Sequence, residues 1–101
     1  MTRYVLAPAA QEDLVAIRDY YPEEAGYRIA RQMLAEFVKA FQTIARAPGV
    51  GHKREDLAGA RPVLFWPVRD YLIVYRSAKP VEIVTIVRGS RDVAVVLKRR
   101  T

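Results

Sequence analysis

The sequence of 101 residues contains no cysteine and a single histidine, His52. The absence of cysteine excludes disulfide bonds and thiolate metal sites, and one histidine gives no basis for a transition-metal site. No stretch approaches the roughly 20 apolar residues that a membrane-spanning helix needs. The first residues also lack the long apolar segment of a secretory signal. We therefore expect a cytoplasmic protein without metal, cofactor or membrane contact.

What the sequence does contain is typical of a globular protein with an uneven charge distribution. Hydrophobic residues make up 51% and charged residues 28%, which argues against disorder, and the length suits one domain over residues 1–101. The formal net charge is +6; residues 1–50 carry six basic and six acidic side chains, whereas residues 51–101 carry eleven and five. This asymmetry favours a polyanion or an acidic protein as partner. The alternative is a charge that serves only solubility.

Two runs of β-branched and aromatic residues, 71–76 and 81–87, flank the turn signal Ser77-Ala78-Lys79-Pro80. This pattern predicts a β-hairpin. Both runs are apolar on both faces, and strands of that kind are usually covered on both sides. We therefore expect a layer of structure, or a partner, on each face of the hairpin.

Two apolar stripes at helical spacing precede the hairpin. They predict one helix over residues 9–21, closed by Pro22, and a second over residues 24–47, closed by Pro48. Glu12 and Asp13 fall in the first turn, where the helix dipole favours negative charge, and we expect both to be exposed. The tight break predicts an antiparallel helical hairpin packed on a sheet. The stripes are Ala10, Leu14, Ile17 and Tyr21, then Ala30, Met33, Phe37, Phe41 and Ile44.

Shorter elements complete the chain. We predict strands over residues 4–6 and 61–66, a polar connection over residues 52–60, and a turn over residues 67–70 into the hairpin. Ser90 is the expected N-cap of a short last helix. The order β-α-α-β-β-β-α predicts an α+β fold, with the helical hairpin packed on a mostly antiparallel sheet of about four strands.

The sequence offers little support for enzyme chemistry. It has no glycine-rich phosphate loop, and no spacing joins His52 to Ser77 or Ser90 as a triad would require. What remains is a set of arginines in the second half. We expect Arg76 and Arg88 to lie near each other at the ends of adjacent strands. The arginines are Arg54, Arg61, Arg69, Arg76, Arg88 and Arg91.

Clustered arginines are compatible with two functions. They could stabilise a pentavalent phosphate in RNA cleavage without metal, or bind an acidic protein through bidentate pairs. RNA cleavage would also need a group that can accept or donate a proton near the arginines. The predicted last helix offers Val93, Val95 and Val96, and no Tyr, His or Glu. A purely structural alternative pairs these arginines with Asp70, Glu82 and Asp92.

Several short motifs follow one another along the chain in this element order. They are Ala10-x-x-Asp13-Leu14-x-x-Ile17-x-x-Tyr20, Phe41-x-x-Ile44-Ala45-x-x-Pro48-x-x-Gly51, Arg54-x-Asp56-Leu57, Tyr71-Leu72-Ile73-Val74-Tyr75-Arg76 and Ile86-Val87-Arg88-Gly89-Ser90-Arg91-Asp92. Each motif is weak alone, and the ordered set is fairly specific. Together the motifs resemble those of toxins of the ParE/RelE superfamily from bacterial toxin–antitoxin pairs.

The resemblance implies one of two activities. RelE-like members cut mRNA on the ribosome, whereas ParE-like members act on DNA gyrase. Leu72 stands where RelE-like toxins often have arginine, and the last helix lacks Tyr and His. The ending Gly89-Ser90-Arg91-Asp92 is similar to the Gly-x-Arg-Asp of ParE-type toxins, although Arg88 replaces a frequent histidine. The resemblance thus favours a gyrase inhibitor, with a ribosome-dependent endoribonuclease as the alternative and an inactive antitoxin-binding relative as a third.

The resemblance also implies a ParD-like antitoxin as partner, with gyrase as target or, in the alternative, the ribosome and mRNA. Direct sequence-specific DNA binding is not expected. No catalytic residue is assigned for a gyrase inhibitor; a nuclease would use Arg61, Arg76 and Arg88. The expected target-binding residues are Arg54, Arg61, Arg76, Arg88 and Arg91. The expected antitoxin-binding residues are Leu14, Ile17, Tyr21, Leu34, Val38, Trp66 and Tyr71.

Overall fold

The computed structural model describes residues 3–24, 26–89 and 92–100. Along these residues, a short strand is followed by two long helices, a short third helix, three strands and a last helix. This order confirms the predicted α+β fold. The elements are β1 (Tyr4–Leu6), α1 (Pro8–Glu24), α2 (Tyr27–Arg46), α3 (Glu55–Ala58), β2 (Leu64–Val68), β3 (Tyr71–Arg76), β4 (Val81–Arg88) and α4 (Val93–Arg100).

The strands form a four-stranded sheet in the order β1-β4-β3-β2. β2, β3 and β4 pair antiparallel, and β1 pairs parallel to the first residues of β4, Val81 to Ile83. The predicted hairpin and the mostly antiparallel sheet are therefore confirmed. In its register Arg76 lies opposite Glu82, and Tyr71 lies opposite Arg88.

Each face of the sheet is covered, which explains why the hairpin strands are apolar on both faces. On one face, α1 contributes Ile17 and α2 contributes Phe37 to the core that includes Ile73 of β3. On the other face, the core includes Val74 together with Leu97 of α4. The predicted last helix covers this second face, and α3, which the sequence reading treated as a polar connection, adds to it.

The break between α1 and α2 differs from the prediction. Helix α1 does not end at Pro22 but continues to Glu24. Gly26 lies in the break with φ of +91°, and its N–H donates a hydrogen bond to the carbonyl of Tyr21 at 2.9 Å. A residue without a side chain adopts this positive φ without strain, so glycine and not proline marks the boundary.

Two other boundaries also shift. β2 covers residues 64–68 and includes Pro67, where a turn was expected. β2 is an edge strand, and an edge position tolerates a residue that cannot donate a hydrogen bond to the sheet. The last helix, α4, covers Val93–Arg100, and Ser90, its expected N-cap, lies outside the described residues.

The loop after α2 is held to the sheet by one buried tyrosine. The hydroxyl of Tyr75 donates a hydrogen bond to the carbonyl of Pro48 at 2.7 Å and accepts one from the N–H of Gly51 at 2.8 Å. A Cβ on Gly51 would lie 2.5 Å from that hydroxyl. This contact gives a structural reason for the Pro48-x-x-Gly51 spacing.

Candidate functional site

The most distinctive polar cluster surrounds Arg88 at the end of β4. The strand register places Tyr71 directly opposite it, and Nη2 of Arg88 donates a hydrogen bond to the Tyr71 hydroxyl at 3.2 Å. The guanidinium carbon lies 5.4 Å from the ring centroids of both Tyr71 and Tyr20, the latter on α1. Such distances suit cation–π attraction, so two aromatic rings hold the guanidinium in place.

The surroundings of Arg88 and Tyr21 shift the pKa of each of these two groups. The hydrogen bond to Tyr71 raises the pKa of Arg88 above its already high ordinary value, so the guanidinium stays charged. The hydroxyls of Tyr21 and Tyr71 lie 3.2 Å apart. Burial raises the pKa of Tyr21, and the Tyr71 hydroxyl adds to the effect, so Tyr21 is neutral at physiological pH. Arg88 is therefore a fixed positive charge beside a neutral Tyr21.

A cleft of about 350 Å³ opens beside this cluster, between α1, β4 and α4. Its walls combine aliphatic side chains with polar groups, among them those of Asp13, Tyr20 and Arg88. A volume of this size lies at the small end of ligand and side-chain pockets. The lining residues are Asp13, Ala16, Ile17, Tyr20, Tyr71, Ile86, Val87, Arg88 and Val96.

Asp13 is part of the wall and not a solvent-exposed carboxylate. It accepts hydrogen bonds from the hydroxyl of Thr85 at 2.5 Å and from the N–H of Ile86 at 2.8 Å. The expectation that Asp13 would be exposed in the first helical turn is wrong. Because α1 begins at Pro8, Asp13 falls in the second turn, on the flank that faces β4.

The expectation that Arg76 and Arg88 lie near each other is also wrong. Each arginine ends its own strand, but β3 and β4 are antiparallel, so these two ends lie at opposite ends of the hairpin. Arg76 instead forms an ion pair with Glu82 at 2.9 Å, as the structural alternative proposed.

The other predicted target-binding arginines lie at a second place. Arg54 and Arg61 line a pocket of about 440 Å³ beside α3, together with Ser77, which follows β3. Arg54 binds Asp56 through two hydrogen bonds of 3.0 and 2.9 Å, and Arg61 donates to the carbonyl of Ala58 at 3.2 Å. Arg91 lies outside the described residues. The four described arginines of the set therefore do not form one cluster.

The other acidic residues proposed as arginine partners differ in role. Asp70 lies 4.0 Å from Nε of Arg88, a loose contact for a side chain that is 65% exposed. The Asp92 carboxylate accepts a hydrogen bond from the N–H of Val95 at 3.3 Å, which caps the start of α4.

The predicted antitoxin-binding residues fall into two groups. Ile17 and Tyr71 are buried, yet both line the cleft beside Arg88. The others lie around the helical core: Val38 is exposed on α2, and four are partly buried against that core. These four are Leu14, Tyr21, Leu34 and Trp66. Tyr71 thus joins the two predicted surfaces, because it contacts Arg88. The roles of both sets stay predictions, as does the absence of cofactor and metal.

The sequence reasoning missed Tyr20 and Asp13 as site residues. Both belong to the motif that carries the family resemblance, and their spacing of seven residues places them on one flank of a helix. That spacing is the signal that could have grouped them. The spacing alone does not show which elements lie beside this flank, and the cleft forms only because β4 and α4 lie there.

Comparisons with known proteins identify a family and a fold. A family model described as "ParE toxin of type II toxin-antitoxin system, parDE" matches residues 4–93. The solved structure described as "Chromosomal ParDE TA system from P. aeruginosa" is similar with a TM-score of 0.72 at 20% sequence identity, covering 87% of this chain and 96% of that one. No curated protein sequence is significantly similar. Among the described residues, no helix is long and apolar enough to cross a membrane.

Proposed function

The chain belongs to the ParE toxin family of type II toxin–antitoxin systems, and on this basis we propose that it inhibits DNA gyrase by binding it. A ParD-like antitoxin would neutralise it. Gyrase works on the chromosome, so the cytoplasm is the proposed compartment. The family match over residues 4–93 carries the toxin assignment. The geometry of the arginines then bears on the choice between gyrase and the ribosome.

One geometric observation supports a binding function over RNA cleavage. A metal-free nuclease needs several cations around one phosphate, but Arg76 and Arg88 lie at opposite ends of the hairpin. Arg76 and Arg54 are each engaged with a carboxylate at 2.9 Å. This arrangement supports Arg88 as a residue that contacts a protein partner, and not as one of several cations around a single phosphate.

The features of the surface also suit an antitoxin. The chain carries a formal charge of +6, and the structurally similar protein comes from a ParDE system. An acidic amphipathic segment would be attracted to the basic half, which raises the association rate and the selectivity. It could pack its apolar side against the half-buried side chains around the helical core.

A supercoiling assay with purified gyrase tests the proposal. We expect the wild-type protein to inhibit supercoiling, and Arg88→Met to inhibit much less. Lys79→Met is a matched control, because it also removes one positive charge but lies in the exposed turn at the far end of the hairpin. Addition of the purified antitoxin should restore gyrase activity. Full supercoiling at large molar excess of the wild-type protein would contradict the proposal.

The ribosome-dependent endoribonuclease stays as a second candidate because of one contact. The hydroxyl of Tyr71 lies 3.2 Å from Nη2 of Arg88, which places a proton-bearing group beside a cation. Primer extension on translated mRNA after induction distinguishes the two. New codon-phased 5′ ends that disappear in Tyr71→Phe would favour the nuclease. An unchanged mRNA pattern together with gyrase inhibition favours our proposal.

An inactive relative that only binds its antitoxin is the third outcome. Expression without the antitoxin separates this case from both toxins. Growth arrest excludes an inactive relative, and normal growth at high expression of folded protein would contradict both toxin proposals. The Arg88→Met variant at the same expression level serves as the control for toxicity that arises from overexpression alone.

A further inference from the structure

Arg88 differs from three other arginines of the fold in its electrostatic surroundings. Arg54, Arg69 and Arg76 each have a carboxylate oxygen within 2.9 Å. For Arg88, the nearest carboxylate among the described side chains is that of Asp70, at 4.0 Å. The Arg88 side chain is 34% exposed, so its remaining N–H groups are accessible to a ligand.

The guanidinium is also fixed before any ligand binds. The ring centroids of Tyr20 and Tyr71 each lie 5.4 Å from the guanidinium carbon, and the Tyr71 hydroxyl accepts a hydrogen bond from Nη2. A side chain that is already ordered loses less conformational entropy on binding than a free surface arginine does. Such an arginine is well suited to bind a planar carboxylate through two parallel hydrogen bonds.

The cleft beside the guanidinium defines the rest of the ligand. Aliphatic side chains of Ile17, Val87 and Val96 line it, and its volume of about 350 Å³ accommodates a large apolar side chain. The complementary group therefore combines a carboxylate with an apolar side chain, as neighbouring acidic and apolar residues of a peptide do.

A nucleic acid fits this site less well. Its strand would bring several phosphates past the carboxylates of Asp13, in the cleft wall, and of Asp70, beside Arg88. Only one cation, Arg88, lines the cleft among the described residues. With one cation for several phosphates, and with aliphatic side chains in its wall, the cleft suits a single carboxylate on an apolar segment better than a nucleic-acid strand.

We propose that this cleft binds an acidic, apolar segment of the antitoxin, with a carboxylate of that segment paired to Arg88. The identity of this partner rests on the proposed function; the ligand chemistry rests on the cleft itself. Because Arg88 is also a predicted target-binding residue, the bound segment would cover it directly. The antitoxin and the target then compete for one arginine, and neutralisation needs no conformational change in the toxin.

A small-molecule probe tests the ligand chemistry independently of any partner. In an NMR titration of the 11.5 kDa protein, 3-phenylpropionate should shift the amide signals of the cleft, among them those of Ile17, Val87 and Val96. The neutral analogue 3-phenylpropanol should shift them at least about tenfold less at equal concentration. In Arg88→Met the difference between the two probes should vanish. Equal shifts with both probes in the wild type would overturn the proposal.

Antitoxin affinity tests the partner. We expect Arg88→Met to weaken antitoxin binding by at least about tenfold, because it leaves the partner's carboxylate unpaired. Arg88→Lys should recover only part of the affinity, and Lys79→Met should bind like the wild type. Circular dichroism melts of each variant check that folding is intact.

The outcomes separate this inference from the proposed function. Unchanged antitoxin affinity in a folded Arg88→Met variant overturns the inference, while gyrase inhibition and neutralisation would still support the proposed function. If the wild-type protein itself does not bind the antitoxin, that result contradicts the proposed partner instead. A single-stranded oligonucleotide that displaces 3-phenylpropionate from the cleft would also overturn the inference, in favour of a nucleic-acid ligand.

Discussion

The carboxylate of Asp13 on α1 accepts a hydrogen bond of 2.8 Å from the backbone N–H of Ile86 in β4. β1 has only three residues and pairs with β4 no further than Ile83, so the outer edge of β4 beyond that point has no strand partner among the described residues. Asp13 also accepts from the hydroxyl of Thr85, which is fully buried. The Asp13 carboxylate therefore supplies the hydrogen-bond acceptor that a neighbouring strand would otherwise provide to Ile86. A charged group at a sheet edge also opposes unwanted pairing with another strand.

Replacing Asp13 by alanine should lower the free energy of unfolding by about 2 kcal/mol, because the Thr85 hydroxyl and the Ile86 N–H lose their acceptor. Asp13→Asn should cost less, since the amide oxygen can still accept one of the two bonds. Urea unfolding measures the change. Asp19→Ala is the matched control, because Asp19 is an exposed carboxylate on the same helix. If Asp13→Ala and Asp19→Ala cost the same, the edge contact does not stabilise the fold.

The hydroxyl of Tyr75 should matter for stability through the loop that follows α2. Tyr75→Phe removes the bonds to Pro48 and Gly51 and should destabilise the protein by about 1–2 kcal/mol. Gly51→Ala should cost at least as much, because its Cβ would lie 2.5 Å from the hydroxyl. Thermal unfolding measures both variants. In the double variant the two costs should add only in part, because Tyr75→Phe removes the clash with the hydroxyl but leaves the ring carbons Cε1 and Cζ at 2.7 and 2.9 Å from the new Cβ. Full additivity would rule out the contact with the hydroxyl.

The pair of Glu36 on α2 and Arg69 in the β2–β3 turn should make stability depend on pH in the acid range. Hydrogen bonds of 2.8 and 2.7 Å from Arg69 lower the pKa of Glu36 below its ordinary value of 4.5. The unfolded chain then binds the proton more readily, so the contribution is present above pH 4.5 and disappears as the pH falls through the folded-state pKa.

The stability difference between wild type and Glu36→Gln should therefore be largest near neutral pH and should shrink on acidification. Urea unfolding at several pH values measures it. In an Arg69→Met background the same comparison should show a much weaker pH dependence. A difference that grows as the pH falls would have the opposite sign from the one that this ion pair requires.

The parts of the fold that the sequence predicts correctly are those with a local pattern. The β-branched runs give β3 and β4, and the apolar stripes give α1 and α2. The predicted end of α1 is wrong because it rested on one residue, Pro22, which lies inside the helix. A single missing hydrogen bond near a helix end is tolerated, and Gly26 supplies the turn that follows. Helix α3 has four residues, too few for any periodic signal.

The candidate site could be predicted only in part. Arg88 is identifiable from the sequence, because it belongs to the motif at the end of the hairpin. Its neighbours depend on strand direction and on which helix crosses the sheet, and neither follows from local spacing. The same limit explains the error with Arg76: a pattern can show that each strand ends in an arginine, whereas antiparallel pairing decides that those ends lie apart.

That separation leads to a prediction about how Arg76 and Arg88 act. Five residue steps along β3 separate Arg76 from Tyr71, the cross-strand partner of Arg88, which is about 17 Å at roughly 3.4 Å per step. In an assay of the proposed gyrase inhibition, the effects of Arg76→Met and Arg88→Met on the half-maximal inhibitory concentration, expressed as free energies, should therefore add within about 0.5 kcal/mol. Tyr20→Leu with Arg88→Met is the contrasting pair, because the Tyr20 ring lies 5.4 Å from the guanidinium. That pair should be non-additive by about 0.5–1 kcal/mol, the usual strength of an exposed cation–π contact. Strong coupling between Arg76 and Arg88 would instead mean that both bind one phosphate or one carboxylate of the target, which the separation between them does not allow.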